Sequence, residues 1–466
     1  MKITTVGAAG GEVTGSAYYV QTKEAAVLVD CGLFQGGRKA EALNRPPTGP
    51  RQRLDAVLLT HGHLDHTGRL PLLAKRGHRP PVFATPATID MTALILRDSA
   101  RIQAGDAQRR ARKRRAGDPP FEPLYTPQDA ETIIQQLKPV PYRKPVRVAP
   151  GIQARFAEAG HMLGSASIQL LVEEDGRTKR VVFSGDLGPK GAPILHKFEP
   201  FHAADLVFLE ATYGAHDHQP FRQTVEEFVR IVSDAVKQRG RILIPTFAVG
   251  RAQMLVALMS WIFRQRHLKP FPLFLDSPMA IEATKIYLKH FQHTPELFDD
   301  WLLAYTRQKP MRADLKTLTA TVTADESKRI NDCPAPCLVM AGAGMCNAGR
   351  ILHHLKANLA KPETHVLIVG YQAHGSLGRM LVDGEKAVSI HGEKVVVKAK
   401  IHTLGGFSGH AGQTDLLGWF DVLAPSRPRV VLTHGEDRPR AALAKLIQQR
   451  YGIKAMLPAM QDVIQI

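Results

Sequence analysis

The segment LLTHGHLDHTGRLP constrains this chain more than any other. It places His61, His63, Asp65 and His66 within six residues, directly after the apolar run DAVLL. A short apolar run bounded by polar residues reads as a buried strand, so these side chains sit on the loop that leaves a strand. Three imidazoles and a carboxylate at that spacing can converge on borderline-soft divalent ions. Neutral His nitrogen and Asp oxygen are suited donors for Zn²⁺. One loop does not complete such a site, so further ligands must come from the ends of other strands. Three apolar runs end in the required way: AEAGHMLGSAS offers His161, VVFSGDLG offers Asp186 and VVLTHGE offers His434. Joined to the first cluster, they supply the ligands of a two-metal site.

The order of elements limits the architecture. The first stretch is strand-rich, with ITTVG, SAYYVQT, AAVLVDCG and LDAVLLTH punctuated by glycine. A helix is expected over 86–104, followed by an exposed, basic lid or loop over 106–120. Strands return with VRVAPGIQARFAEAGH, ASIQLLVEE, RVVFSGD and LVFLEATYG. The character changes after Tyr213. QTVEEFVRIVSDAVKQR has its apolar residues at helical spacing, and Thr224 with Glu227 forms an expected capping box at its start. RILIPTFAVG, PLFLDS, PCLVMAGAG and HVLIVGYQ then alternate with helical segments, which signals a parallel α/β sheet. From Gly384 the strand-rich pattern resumes. One α/β domain is therefore expected to be inserted into another, with the outer domain over 1–208 and 384–466 and the inserted one over 209–383.

Charge narrows the partners. Among 466 residues, 61 lysines and arginines face 43 aspartates and glutamates, a net charge of +18. Such an excess points to a polyanion, nucleic acid before an acidic membrane surface. Four cysteines exclude a disulfide framework and favour a reducing compartment. No apolar run approaches the ~18 residues of a membrane span, and the N-terminus has no apolar signal core. A soluble, cytoplasmic protein with no membrane partner is the expectation.

Taken in order, the motifs resemble the metallo-β-lactamase superfamily in its β-CASP nuclease branch. Asp30 in VLVDCG is similar to the superfamily's first motif. His61, His63, Asp65 and His66 are similar to the second, His161 to the third and Asp186 to the fourth. Glu210 in LEATYG resembles the branch's carboxylate motif, and His410 in GFSGHAG and His434 in LTHGE resemble its two late histidines. The resemblance spans essentially the whole chain. It implies an α/β fold: an αββα metallo-β-lactamase sandwich in two parts, with an inserted parallel α/β β-CASP domain.

The resemblance also implies roles. His61, His63 and His161 would bind one Zn²⁺, Asp65, His66 and His434 a second, and Asp186 would bridge the two. A hydroxide between the metals would attack a phosphodiester, with Asp65 orienting it and Asp30 holding a ligand histidine. His410 would act as general acid toward the departing 3′ oxygen, with Glu210 orienting it. The expected activity is zinc-dependent hydrolysis of RNA, expected to be single-stranded, leaving 5′-phosphate and 3′-hydroxyl ends. His434 favours RNA, because the DNA-repair members typically carry an apolar residue there. The chain is expected to be the compact stand-alone bacterial type, related to the polyadenylation cleavage nuclease. Endo- and exonucleolytic cleavage, and homo-oligomerisation, both stay open.

Gripping of the RNA is less sharply marked. TFAVGRAQ places Arg251 at a helix N-terminus, where anions bind. AGAGMCNAGR offers Arg350, and YQAHGSLGR offers Ser376 and Arg379. His374 stands where the family usually has an acidic residue. Arg109, Arg110, Arg112, Lys113, Arg114 and Arg115 form the densest positive run, read equally as a phosphate-tracking edge or a solvated one. Aromatics are only 6% of residues, so base stacking is expected at few positions. Two alternatives compete: a hydrolase of a small ester or thioester on the same fold, and an inactive RNA-binding module.

Overall fold

The computed structural model describes residues 1–49, 51–113, 122–373 and 375–466. Arg114, Arg115 and His374 lie outside the described residues. The chain divides into two compact units. The first joins Met1–Lys190, Lys197–Asp217 and His410–Ile466, and the second joins Gly191–His196 and His218–Gly409.

The first unit is built from strands whose residues alternate between two apolar environments, the period-2 geometry of a pleated sheet. In Ala26–Val29, Val27 and Val29 face one core, while Ala26 and Leu28 face another. In Leu206–Glu210, Leu206 and Phe208 face the shared core, and Val207 and Leu209 face outward into a third cluster. Both faces of these strands are therefore buried, which requires a layer on each side.

A seven-stranded sheet runs in the order Val463–Gln465, Lys2–Gly7, Ala17–Gln21, Ala26–Val29, Ala56–Leu58, Val82–Ala84, Leu137–Pro139. A six-stranded sheet runs Arg429–Thr433, Leu206–Glu210, Arg177–Phe183, Ala166–Glu174, Ile152–Glu158, Val146–Ala149. Val20, Val29 and Leu58 of the first meet Phe156, Ile168, Leu170 and Phe183 of the second in the central core. Leu70, Leu73, Leu96 and Ile133, from three helices, cover the outer face of the seven-stranded sheet. Leu416, Trp419, Phe420, Leu443 and Ile447, from two more, cover the outer face of the six-stranded one. The layers are αββα.

The second unit holds a six-stranded sheet, ordered Leu318–Ala320, Leu273–Asp276, Cys337–Ala341, Arg241–Pro245, His365–Ile368, Lys400–Thr403. Every neighbouring pair is parallel. Helices such as Arg251–Arg264 and Pro278–His293 follow the strands directly.

Three local expectations change. The helix that opens at Pro86 continues to Lys113, so the first half of the expected lid, including Arg109, Arg110 and Arg112, is helical. Its last turns carry arginine, lysine, alanine and glutamine, all good helix formers that show no apolar stripe. The helix expected to start at Thr224 starts at Phe221, with Thr224 buried inside it, and there is no capping box at Thr224. Finally, the second unit reaches Gly409 rather than ending before Gly384. Lys400–Thr403 pairs with His365–Ile368 and so completes the parallel sheet. No described helix is long and apolar enough to cross a membrane.

Candidate metal centre

The first unit's strand directions gather the marked residues. Ala26–Val29 and Ala56–Leu58 are parallel, as are Arg177–Phe183, Leu206–Glu210 and Arg429–Thr433. Asp30, His61, Asp186, Glu210 and His434 each occur at or just beyond the C-terminal end of one of these strands. His161 follows Ile152–Glu158, whose antiparallel pairing to Ala166–Glu174 gives it the same direction as Arg177–Phe183.

The donor atoms form two groups. In the first, His63 Nδ1 lies 3.1 Å from His61 Nε2 and 3.1 Å from His161 Nε2. Asp186 Oδ2 lies 3.5 Å from His61 Nε2 and 3.7 Å from His161 Nε2. In the second, His66 Nε2 and His434 Nε2 are 3.2 Å apart. Asp186 Oδ1 faces them at 3.3 and 3.5 Å, and Asp65 Oδ2 is 3.6 Å from His434 Nε2. One carboxylate thus addresses each group with a different oxygen. Asp186 Oδ1 is buried with no hydrogen-bond partner, a placement that costs free energy unless a cation satisfies it. Tetrahedral zinc with nitrogen ligands at 2.0–2.1 Å separates its donors by about 3.3 Å, close to the spacings seen. The residues present fit a metal pair.

The electrostatics follow from burial and from the close approach of the cluster's own charges. Burial, helped by the charge of neighbouring His66, holds the His61 imidazole well below its usual range. Burial also lowers His63 to about 4. Both are therefore neutral, the form that binds metal. Burial opposes ionisation of Asp186, but His434, His66, His61 and His410 outweigh it and hold the carboxyl well below its usual value. Burial likewise opposes the charged form of His66, and here Asp186 and Asp30 prevail and raise it. Asp65 is lowered against its burial by His434 and His66.

Three of the imidazoles are aimed by a second contact. His66 Nδ1 donates to Asp30 Oδ2 at 2.7 Å, and Asp30 Oδ1 accepts from the Thr60 amide at 2.8 Å. Thr60 Oγ1 lies 3.1 Å from His61 Nδ1, and Thr212 Oγ1 lies 3.1 Å from His434 Nδ1. Such contacts fix ring orientation and tautomer. Asp30 (φ 59°) and His434 (φ 50°) both adopt left-handed backbone conformations that non-glycine residues seldom take. The hydrogen bonds from their amides, to Leu58 O and Ala8 O at 2.8 Å each, hold them there. His161 is set by Ser165, whose hydroxyl accepts from the His161 amide at 3.0 Å. Sequence reasoning marked Asp30 but missed Thr60, Thr212 and Ser165. Single hydroxyls carry no pattern, and only the fold shows what they face.

His410 stands beside this cluster. Its Nε2 lies 4.0 Å from Asp186 Oδ2, and its Nδ1 lies 3.4 Å from Glu210 Oε1. Glu210 is fixed by the amides of Leu187 (2.8 Å) and Thr212 (3.2 Å). Burial disfavours a charged His410, yet Glu210 and Asp186 raise its pKa above the usual value.

The four residues marked for gripping RNA belong to the second unit. Arg251 opens the helix Arg251–Arg264 behind the positive-φ Gly250. Ser376 caps the helix Leu377–Val382, accepting from the Arg379 amide, and the Arg379 side chain pairs with Asp383 at 2.9 Å. Arg350 differs from expectation. Its guanidinium binds Asp276 Oδ1 (2.7 Å), Thr321 O (2.9 Å) and Val322 O (2.6 Å), and so locks a helix start to a strand end.

An αββα sandwich with a buried His/Asp cluster on its strand-end rim defines a metal-dependent hydrolase of the metallo-β-lactamase type. Residues 10–232 match the metallo-beta-lactamase superfamily, residues 252–381 the Beta-Casp domain, and residues 394–458 the Zn-dependent metallo-hydrolase RNA specificity domain. Ribonuclease TTHA0252 of Thermus thermophilus is 41% identical over 97% of this chain and 96% of its own length. The transcription termination factor FttA of Cenarchaeum symbiosum is 32% identical over 98% of this chain and 70% of its own. A crystal structure of a protein of unknown function from Enterococcus faecalis shares the fold, with a TM-score of 0.54 at 14% identity, covering 100% of this chain and 99% of that one. The chain belongs to the β-CASP branch of the metallo-β-lactamase superfamily.

Proposed function

We propose that this protein is a zinc-dependent ribonuclease that hydrolyses phosphodiester bonds with two Zn²⁺ ions. The observation that carries the reading is the division of Asp186 between two groups of imidazoles, one oxygen to each. The similarity to a protein named as a ribonuclease supports RNA as the substrate, as does the net charge of +18. His61, His63 and His161 would hold one ion, Asp65, His66 and His434 the other, and Asp186 would serve both. Bound there, two such ions acidify water and neutralise charge on phosphoryl oxygens.

The protein's own groups do the rest. Asp30 and Thr60 keep His66 and His61 in register, and Thr212 does the same for His434. Asp65, on the same loop as three of the imidazoles, orients the attacking water. His410, kept protonated by Glu210, gives its Nε2 proton to the 3′ oxygen as the P–O bond breaks. One product keeps a 5′-phosphate and the other gains a 3′-hydroxyl. Arg251 and Arg379 contact the RNA backbone; Arg350 is anchored within its own unit and Ser376 is buried as a helix cap, so both support their loops instead.

The test is incubation of the zinc-loaded protein with RNA labelled at either end. Fragments should carry 5′-phosphate and 3′-hydroxyl termini. Fragments with 5′-hydroxyl and cyclic-phosphate termini would contradict the assignment, because they arise from attack by the ribose 2′-hydroxyl.

A further inference from the structure

We infer that Tyr213 is the stacking platform for the nucleobase immediately 5′ to the scissile phosphate. The inference rests on the ribonuclease reading above and assigns a contact that the metal ligands and the His410 pair leave open.

Tyr213 lies on the loop that leaves Leu206–Glu210, three residues beyond Glu210. Glu210, Ala211, Thr212 and Gly214 around it are buried, while Tyr213 itself is partly exposed. Its backbone is pinned on both sides. Thr212 Oγ1 donates to His434 O at 3.0 Å, the Gly214 amide donates to Ala211 O at 3.1 Å, and Gln413 Nε2 donates to Gly214 O at 2.8 Å. Gly214 packs so closely that a Cβ there would meet Pro439 O at 2.6 Å. The phenol is thus presented from a fixed base. Its ring centroid is 6.2 Å from that of His410, tilted by 51°, and 5.4 Å from that of the exposed His216, edge-on at 89°.

The chemistry selects which nucleotide lies there. His410 delivers its proton to the departing 3′ oxygen, so the sugar bearing that oxygen, and the base on that sugar, lie on the His410 side of the phosphate. An aromatic ring beside His410 is placed to take that base. Stacking is tolerant of base identity because every base has a π-face. In a chain only 6% aromatic, a contact of this kind positions the leaving nucleotide without reading a sequence.

The test is a cycle of two substrates and three proteins. An RNA cleaved at one defined position is compared with the same RNA carrying an abasic residue immediately 5′ to that position. Wild-type protein should lose roughly 5- to 100-fold in kcat/KM on the abasic RNA, the range of one base stacked on an aromatic ring. Tyr213→Leu should lose a similar factor on the intact RNA and little more on the abasic one. Tyr213→Phe should stay within about threefold of wild type on both, since the ring rather than the hydroxyl does the stacking. Binding gives a second readout: 2-aminopurine at the same position should be quenched by wild type and by Tyr213→Phe, but not by Tyr213→Leu. Equal losses by Tyr213→Leu on both RNAs would overturn the inference, as would a Phe variant as impaired as the Leu variant. So would a wild type indifferent to the missing base, which keeps the test decisive even if Tyr213→Leu folds poorly. Failure of the wild type to cleave any RNA would instead overturn the ribonuclease reading.

Discussion

At the residue scale, His410 and His434 stand in different surroundings, which the proposed function reads as different work. His434 Nε2 faces Asp65 and Asp186 inside the metal cluster, whereas His410 reaches Asp186 only at 4.0 Å and pairs with Glu210. His410→Ala should therefore keep zinc content and RNA affinity near wild type while slowing cleavage by roughly 10²–10⁴, the contribution of a positioned acid. The loss should shrink on a bridging 3′-phosphorothiolate, whose leaving group needs no proton. Loss of zinc, or equal slowing of both substrates, would reassign His410. Glu158 offers a separate check on the loop that carries His161. Its carboxylate accepts from the Gly160 amide at 2.8 Å, and burial raises its pKa from an ordinary 4.5 to about 8. The folded state thus keeps a proton that the unfolded chain releases. The group's contribution to stability is full below pH 4.5 and is lost as pH rises through about 8. Relative to wild type, Glu158→Gln should gain stability between about pH 5 and 8, on the order of a few kcal/mol, read from urea melts at matched zinc. Parallel pH profiles would contradict this.

At the element scale, the legible part of the site is the part written at strand ends. DAVLL, VVFSG and VVLT each announce a buried strand, and the His or Asp that follows is placed by it; the register of parallel pairs then brings the ends together. What the sequence hid has physical reasons. The helix from Pro86 runs on to Lys113 because good helix formers need no apolar stripe to continue. The return to the first unit comes at His410, not Gly384, because a short β-branched strand such as Lys400–Thr403 looks alike whichever sheet it joins. Thr60, Thr212 and Tyr213 take much of their meaning from partners that only the fold brings close, Asp30, His434 and His410. Close backbone packing was also hidden. A Cβ on Gly188 would lie 1.8 Å from Gly160 O and 2.9 Å from the His161 amide nitrogen, and backbone cannot yield as a side-chain tip does. Gly188→Ala should displace the His161 loop and weaken zinc binding by roughly 10–100-fold, measured by chelator competition. Unchanged affinity would show that the loop does not set the ligand.

At the scale of the whole molecule, charge and metal make separable demands. A net charge of +18 predicts RNA binding that weakens steeply with salt. If about five phosphates are contacted, affinity should fall about 100-fold between 50 and 200 mM salt, from the counterion slope for single strands. A flat salt dependence would detach the basic character from RNA binding. The central claim, that one buried cluster holds two zinc ions and that both are needed for cleavage, is tested most directly by adding zinc back to metal-depleted protein while following bound metal and RNA cleavage together. Binding should saturate at about two zinc per chain, with full cleavage reached only at the second equivalent, and Asp186→Asn should fail to reach either plateau. Full cleavage by the metal-depleted protein, or a wild-type Asp186→Asn variant in both readouts, would contradict it.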